Sequence, residues 1–174
     1  IKDTALILYL IYIVVTVIET VMLLFGGMSF FESLLHTFGT AGTGGFGLKR
    51  DSLASYSPYI QWVITAFMIL FGVNFNLYYL MLLKKFKAVV TSTELWAYFG
   101  IILSSAALIA WNIRHLFGGL EQTVRTAAFQ VASVISTTGY ATTDFNLWPN
   151  FSKNILFILM FIGGCAGSTA GGIK

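Results

Sequence analysis

The chain has 174 residues, of which 57% are hydrophobic and 10% are charged. Because soluble domains carry about 25% charged residues, this composition excludes a soluble protein and predicts an integral membrane protein. The formal net charge of +3 is too small and too dispersed for a nucleic-acid surface, and the single cysteine, Cys165, excludes an internal disulfide or a cysteine-based metal cage.

The first half of the chain, residues 1–91, predicts one pore unit. A crossing helix needs about 20 apolar residues, since each residue rises about 1.5 Å through a hydrocarbon core of roughly 30 Å. Ser29 and Glu32 match a capping box, and Ser57 before Pro58 marks another helix start. The predicted elements are a helix over residues 4–25, a re-entrant pore helix over 29–38, a filter turn over 42–47 and a helix over 58–83.

The same order of elements repeats in residues 92–174, which predict a second pore unit. Superposing Gly45 on Gly139 also pairs Thr43 with Thr137, so the two turns occupy equivalent places. The predicted fold is therefore an all-α membrane protein built from repeated helix, re-entrant pore helix and helix units. The elements of this unit are a helix over 94–112, a pore helix over 121–136, a filter turn over 137–141 and a helix over 154–162, interrupted by a loop over 163–172.

The two turns predict a path for a cation. Irregular backbone at membrane depth is tolerated only where protein or water surrounds it. Glycine accepts positive φ without steric cost, and the C-terminal end of a re-entrant helix carries the negative end of its dipole. Ordinary glycine turns in membrane loops are the alternative. The residues predicted to hold a cation through their carbonyls are Thr43, Gly44, Gly45, Thr137, Thr138 and Gly139.

A run of small residues at 163–172, here called the glycine-rich loop, interrupts the last membrane helix. Gly163, Gly167 and Gly171 have the small-residue spacing that allows close helix packing. The alternative is a non-helical gating loop below the filter, because each glycine costs a helix about 1 kcal/mol relative to alanine. The predicted gate residues are Gly163, Gly164, Gly167, Ser168, Gly171, Gly172 and Lys174.

Several longer motifs carry a resemblance to a known family. They are Phe38-Gly39-Thr40-Ala41-Gly42-Thr43-Gly44-Gly45-Phe46, Ser136-Thr137-Thr138-Gly139-Tyr140, Asp144-Phe145, Trp148-Pro149, and residues 160–174 with the glycine-rich loop. The chain resembles the Trk/Ktr/HKT superfamily of potassium and sodium uptake proteins, most closely its bacterial TrkH/TrkG branch. The resemblance implies four such units around a central pore, of which these look like the second and third. It also implies a filter lined by Gly45 and Gly139 with a gating loop beneath it.

The resemblance further implies a cytoplasmic nucleotide-binding regulatory subunit of the TrkA or KtrA type. We expect the chain to be a fragment, with the remaining pore units elsewhere in the same protein. A homodimer in the lipid of the bacterial inner membrane is the expected assembly. Potassium is the expected substrate, with sodium as the alternative, because a serine in place of a filter glycine is associated with sodium transport in this family. We expect no cofactor and no nucleic-acid partner.

Two other functions compete with cation uptake. One is a subunit of a potassium channel with two helices per unit. The other is a rhomboid-like intramembrane serine protease, with Ser168 as nucleophile and His36 or His115 as base. In the predicted topology both histidines lie nearer the outer side than Ser168, which favours uptake without substrate chemistry. Channel-like transport and coupled symport both stay open.

Other polar residues have structural as well as functional interpretations. Glu19 lies inside a predicted crossing and is interpreted as a packing or hydrogen-bonding residue before an ion contact. Arg125 is predicted to anchor its re-entrant helix, and Asn74 to bond between helices. Asp51 and Asp144 follow the turns, where they either concentrate cations or are solvated loop charges.

Overall fold

A computed structural model describes residues 2–173. Within this range the chain contains α-helices and two short 3₁₀ turns, Arg114–Leu116 and Phe145–Leu147, but no strand, which confirms the all-α fold. The helices are α1 (Lys2–Phe25), α2 (Phe30–Ala41), α3 (Pro58–Phe71), α4 (Phe75–Leu82), α5 (Phe86–Val90), α6 (Thr93–Ile113), α7 (Leu120–Ile135) and α8 (Asn150–Ile162).

Two helices in the described range are long and apolar enough to cross a membrane individually. They span Thr4–Phe25, within α1, and Thr93–Leu116, which is α6 with the following turn. Only 22% and 28% of the most apolar 18-residue stretch of each helix is buried inside the protein, so most of these side chains face outward. Apolar side chains that point outward over this length match a lipid environment.

The predicted crossing over residues 58–83 is wrong as a single helix. The segment consists of α3 and α4, whose axes are bent by 87° at a break of three residues. Asn74 causes the restart, because its side chain accepts a hydrogen bond from the Asn76 N–H at 3.0 Å and so caps the new helix. The last helix also begins earlier than predicted, at Asn150 rather than 154.

Helices α2 and α7, which the sequence predicts to be re-entrant, each bury one face against other helices. Helix α2 packs against α1 and α3, and α7 packs against α3, α6 and α8. Both bury polar side chains: Ser33, His36, Thr37 and Thr40 on α2, and Thr123, Thr126, Gln130 and Ser133 on α7. The C-terminal ends of both helices lie inside the protein, where Ala41 and Ile135 are fully buried.

Local capping explains where the predicted starts were right. Ser29 accepts a hydrogen bond from the Glu32 N–H while the Glu32 carboxylate accepts one from the Ser29 N–H, which is a complete capping box. Ser57 caps α3 with Pro58 in its first turn. The backbone and side-chain hydrogen bonds at Ser29 hold the pKa of Glu32 below its usual range.

Candidate functional site

The first turn, residues 42–47, begins where α2 ends. Thr43 and Gly45 have φ values of 50° and 64°, in the left-handed region. The N–H groups of Gly44 and Gly45 both donate to the Gly39 carbonyl, at 2.8 and 3.3 Å. These two bonds close the helix and turn the chain sharply away from its axis.

The second turn, residues 137–141, repeats this geometry at the end of α7. Thr137 and Gly139 have φ values of 57° and 87°, two positions apart as in the first turn. The N–H groups of Thr138 and Gly139 both donate to the Ser133 carbonyl, at 3.0 and 3.2 Å. The same backbone conformation therefore occurs at the positions that the sequence superposition pairs.

Both turns hold a threonine in a conformation that ordinary side chains avoid. A left-handed residue with a Cβ costs about 1–2 kcal/mol, so Thr43 and Thr137 persist there only because the surrounding structure fixes them. The turns also touch each other: a Cβ added to Gly45 would overlap the Thr138 carbonyl oxygen. Gly45 is thus required by both its φ and this close approach.

A polar network ties α7 to the first unit, as predicted for Arg125. The Arg125 guanidinium donates to Glu121 Oε1 at 2.9 Å and also to the Gln61 side-chain oxygen on α3. Gln61 in turn donates to the Leu53 carbonyl at 2.9 Å. Hydrogen bonds from Arg125 and then Trp62 hold the pKa of Glu121 below its usual range. The network fixes α7 against the chain that follows the first turn.

The glycine-rich loop is non-helical and packs into the break between α3 and α4. The N–H of Cys165 donates to the Gly72 carbonyl at 2.9 Å, and that of Thr169 to the Phe71 carbonyl at 3.2 Å. In return, the Phe75 N–H donates to the Gly167 carbonyl at 3.1 Å. Two irregular segments therefore satisfy each other's backbone groups, as irregular backbone must where water is absent.

A carboxylate at the start of α6 holds the middle of this loop. Glu94 Oε1 accepts a hydrogen bond from the Ala166 N–H at 2.6 Å, and Oε2 accepts one from Asn74 Nδ2 at 3.2 Å. The same carboxylate thus contacts both the loop and the helix break. Asn74 does bond between helices, as predicted, with Glu94 as its partner.

The glycine-rich loop also reaches the second turn. The Gly171 N–H donates to the Thr137 hydroxyl oxygen at 2.8 Å. A Cβ on Gly171 would lie 3.2 Å from that oxygen, a tight approach. The loop consequently lies directly against a residue of the second turn.

Comparisons with known proteins identify the family. The family model described as the cation transport protein TrkH matches residues 1–103 and 89–174, which together span the chain. The chain belongs to the TrkH family. The potassium uptake protein TrkH of Escherichia coli (strain K12) is 34% identical over 100% of this chain and 37% of its own length. TrkG of the same strain is 29% identical over 99% of this chain and 36% of its own length.

A solved structure has the same fold. The potassium transporter TrkH from Vibrio parahaemolyticus superposes with a TM-score of 0.92 and 29% identity, covering 98% of this chain and 38% of that one. This TrkH-family chain therefore spans little more than a third of the length of the relatives it matches. The family is one of transport proteins, not of enzymes, which overturns the protease alternative. The hydroxyl of Ser168, the nucleophile in that alternative, donates a hydrogen bond to the Cys165 carbonyl at 2.6 Å.

The other predicted residues of this TrkH-family chain fall in three places. Asp51 and Asp144 line one surface cavity, together with Thr142. Glu19 is fully buried on α1, among the residues that pack against α2. Lys174, predicted as part of the gate, lies outside the described residues.

Sequence reasoning missed three features of the site. The helix break at Gly72 carried a signal, since asparagine at position 74 is a strong N-cap residue. The Glu94 contact and the burial of Tyr140 against the first unit carried none, because both join residues far apart in the chain.

Proposed function

We propose that this chain supplies two pore units of a path that carries potassium ions across a membrane. The observation that carries the proposal is the matched backbone of the two turns, with positive φ at Thr43 and Gly45 and again at Thr137 and Gly139. The choice of ion rests on the relatives named potassium uptake proteins. The proposed carbonyl ligands are those of Thr43, Gly44, Gly45, Thr137, Thr138 and Gly139.

The physical basis is the replacement of the water shell of the ion. Backbone carbonyls substitute for water oxygens, and several weak sites allow the ion to leave again. A chain that alternates the sign of φ turns successive carbonyls toward one side. The C-terminal ends of α2 and α7 add the negative ends of their dipoles at the same place.

The rest of the pore is proposed to come from other parts of the same protein. The chain covers about a third of the length of its relatives, which leaves room for two further units around the pore. We also propose a homodimer in a bacterial inner membrane, with a cytoplasmic nucleotide-binding regulator of the TrkA or KtrA type. The outward apolar faces of α1 and α6 support contact with lipid.

The glycine-rich loop is proposed to be the gate. Its contact with Thr137 places it beside the second turn, and its bonds to the helix break hold it there. Three of its glycines have positive φ, which makes the loop conformation inaccessible to a regular helix. The proposed gate residues in the described range are Gly163, Gly164, Gly167, Ser168, Gly171 and Gly172.

Gly139→Ser is the sharpest test of the filter. Gly139 has a φ of 87° with no atom within 4 Å of an added Cβ, so serine adds strain without a clash in this chain. Gly27, after α1, is a matched control, with a φ of 89° and equally open surroundings. Gly45 is less suitable, since any side chain there would overlap the Thr138 carbonyl oxygen.

The measurement is the potassium-to-sodium permeability ratio of the complete protein in liposomes. The strain at Gly139→Ser is expected to shift the carbonyls of the second turn. A lost preference of about 1.4 kcal/mol for potassium corresponds to about a tenfold lower ratio, which is the expected effect. Gly27→Ser should leave the ratio unchanged. An unaltered ratio in Gly139→Ser would remove this residue from the filter, and absence of cation flux in the unmodified protein would refute the function.

A further inference from the structure

Tyr140, the residue after Gly139, crosses from the second turn to the back of the first. Its side chain is fully buried. Its hydroxyl lies 3.2 Å from the His36 carbonyl oxygen and 3.3 Å from the Phe46 carbonyl oxygen, within donating distance of both. Because Phe46 directly follows Gly45, the hydroxyl reaches the backbone of the first turn itself.

The chain is shaped to receive this side chain. A Cβ on Gly39 would overlap the Tyr140 hydroxyl oxygen and would lie 3.2 Å from Cζ, so only glycine leaves the space. The His36 ring stacks on the tyrosine ring, with centroids 5.8 Å apart and planes 27° apart. At the other end, the Tyr140 carbonyl accepts a hydrogen bond from Ser133 Oγ at 2.6 Å. Tyr140 is therefore fixed on α7 and on α2 at once.

The contact is not a consequence of turn geometry alone. The equivalent residue of the first turn is Phe46, which has no hydroxyl and is 79% exposed in this chain. The two turns share a backbone but differ at this position. The hydroxyl is thus a specific addition at the boundary between the two units.

We propose that Tyr140 is a positioning residue that fixes the spacing of the carbonyls in the first turn and thereby sets the preference for potassium over sodium. This inference rests on the proposed function. Without the hydroxyl, the Phe46 carbonyl loses its donor and the turn gains freedom to contract around a smaller cation. The ion contacts themselves stay with the backbone carbonyls, and Tyr140 acts through them.

Tyr140→Phe tests the inference, because it removes one oxygen and keeps the buried ring. Tyr98→Phe is a matched control: Tyr98 is also buried, its hydroxyl donates to the Ile69 carbonyl at 3.1 Å, and a Cβ on Gly72 would overlap that hydroxyl. A net hydrogen bond contributes about 0.5–1.5 kcal/mol. In the complete protein in liposomes, Tyr140→Phe should lower the potassium-to-sodium permeability ratio by about two- to twelvefold, and Tyr98→Phe should not change it.

A second pair of variants tests the role of Gly39. Gly39→Ala should lower the ratio further, because its methyl group displaces the hydroxyl. Adding Tyr140→Phe to Gly39→Ala should restore part of the loss, since the overlapping oxygen is gone. Losses that simply add, without such recovery, would contradict the proposed fit between the two residues.

The outcomes separate this inference from the proposed function. A selective unmodified protein with an unchanged ratio in Tyr140→Phe, at equal amounts in the membrane, overturns the inference and leaves the function standing. If the unmodified protein shows no selective flux, the proposed function fails. The inference is then tested by comparing the melting temperature of the protein in potassium with that in sodium. A potassium-specific stabilisation that Tyr140→Phe abolishes supports the inference, and its absence in the unmodified protein overturns it.

Discussion

Replacing Glu94 with glutamine should loosen the glycine-rich loop. The carboxylate accepts hydrogen bonds from the Ala166 N–H and from Asn74 Nδ2, at 2.6 and 3.2 Å. The amide of glutamine keeps one acceptor oxygen, lacks the charge and offers an N–H₂ group in place of the second oxygen. The substitution therefore leaves the sequence of the loop unchanged and weakens the hydrogen bonds that residue 94 makes to the Ala166 N–H and to Asn74.

The magnitude follows from the two bonds. Hydrogen bonds to charged groups contribute about 1.5–3 kcal/mol and neutral ones about 0.5–1.5 kcal/mol. Glu94 is exposed, so solvent screening reduces the difference, and we take about 1.4 kcal/mol for the pair. That free energy corresponds to about a tenfold larger population of the released loop.

Cys165 provides the assay, since it is the single cysteine of this chain and is only 4% exposed. Its rate of modification by a thiol reagent reports how often the loop leaves its site, once cysteines elsewhere in the protein have been replaced. Glu94→Gln should raise the rate about tenfold. Glu121→Gln makes the same chemical change on α7, away from the loop, and should leave it unaltered. Equal rates in Glu94→Gln and the unmodified protein would show that the Glu94 carboxylate does not hold the loop in place.

Two further predictions concern stability. Gly167→Ala should lower the free energy of unfolding by about 1–2 kcal/mol, because Gly167 has a φ of 70° and its added Cβ would lie 3.0 Å from Asn74 Oδ1. Gly100→Ala, with no atom within 4 Å of the added Cβ, should be neutral or stabilising, and equal melting temperatures for the two variants would contradict this. The lowered pKa of Glu121 means that its stabilising contribution is present above the usual carboxyl range and is lost as pH falls through the lowered value. The melting temperatures of Glu121→Gln and the unmodified protein should therefore converge in acid. A difference between them that persists in acid would contradict a stabilising role for the Glu121 carboxylate in its network with Arg125.

Features set by neighbouring residues could be predicted from the sequence. The capping box of Ser29 and Glu32 and the start of α3 depend on contacts within one turn, so the pattern of residues contains them. The equivalence of the two turns could also be predicted from the sequence, because a glycine and a threonine recur at the same spacing. The repeat of their φ values was the structural consequence.

The failures have a different physical origin. Residues 58–83 are apolar enough to mask the break, although Asn74 is a strong N-cap residue. The break is stabilised by the glycine-rich loop, whose backbone pairs with groups that a continuous helix would have bonded internally. Likewise, no residue near Tyr140 in the sequence predicts that its hydroxyl fits beside Gly39, which lies about a hundred positions earlier. Such contacts depend on the packing of two units, which no local pattern describes.

The contacts of the glycine-rich loop also limit how the proposed gate can open. Three backbone hydrogen bonds join it to the break between α3 and α4, and one joins it to Thr137. At about 1 kcal/mol each, these bonds favour the closed loop by roughly a thousandfold. A ligand that opens such a gate must bind the open form more tightly by a similar free energy. Because lipid offers no replacement partners for the freed N–H and C=O groups, opening has to admit water to the loop, and release of the gate and wetting of the path are then one event.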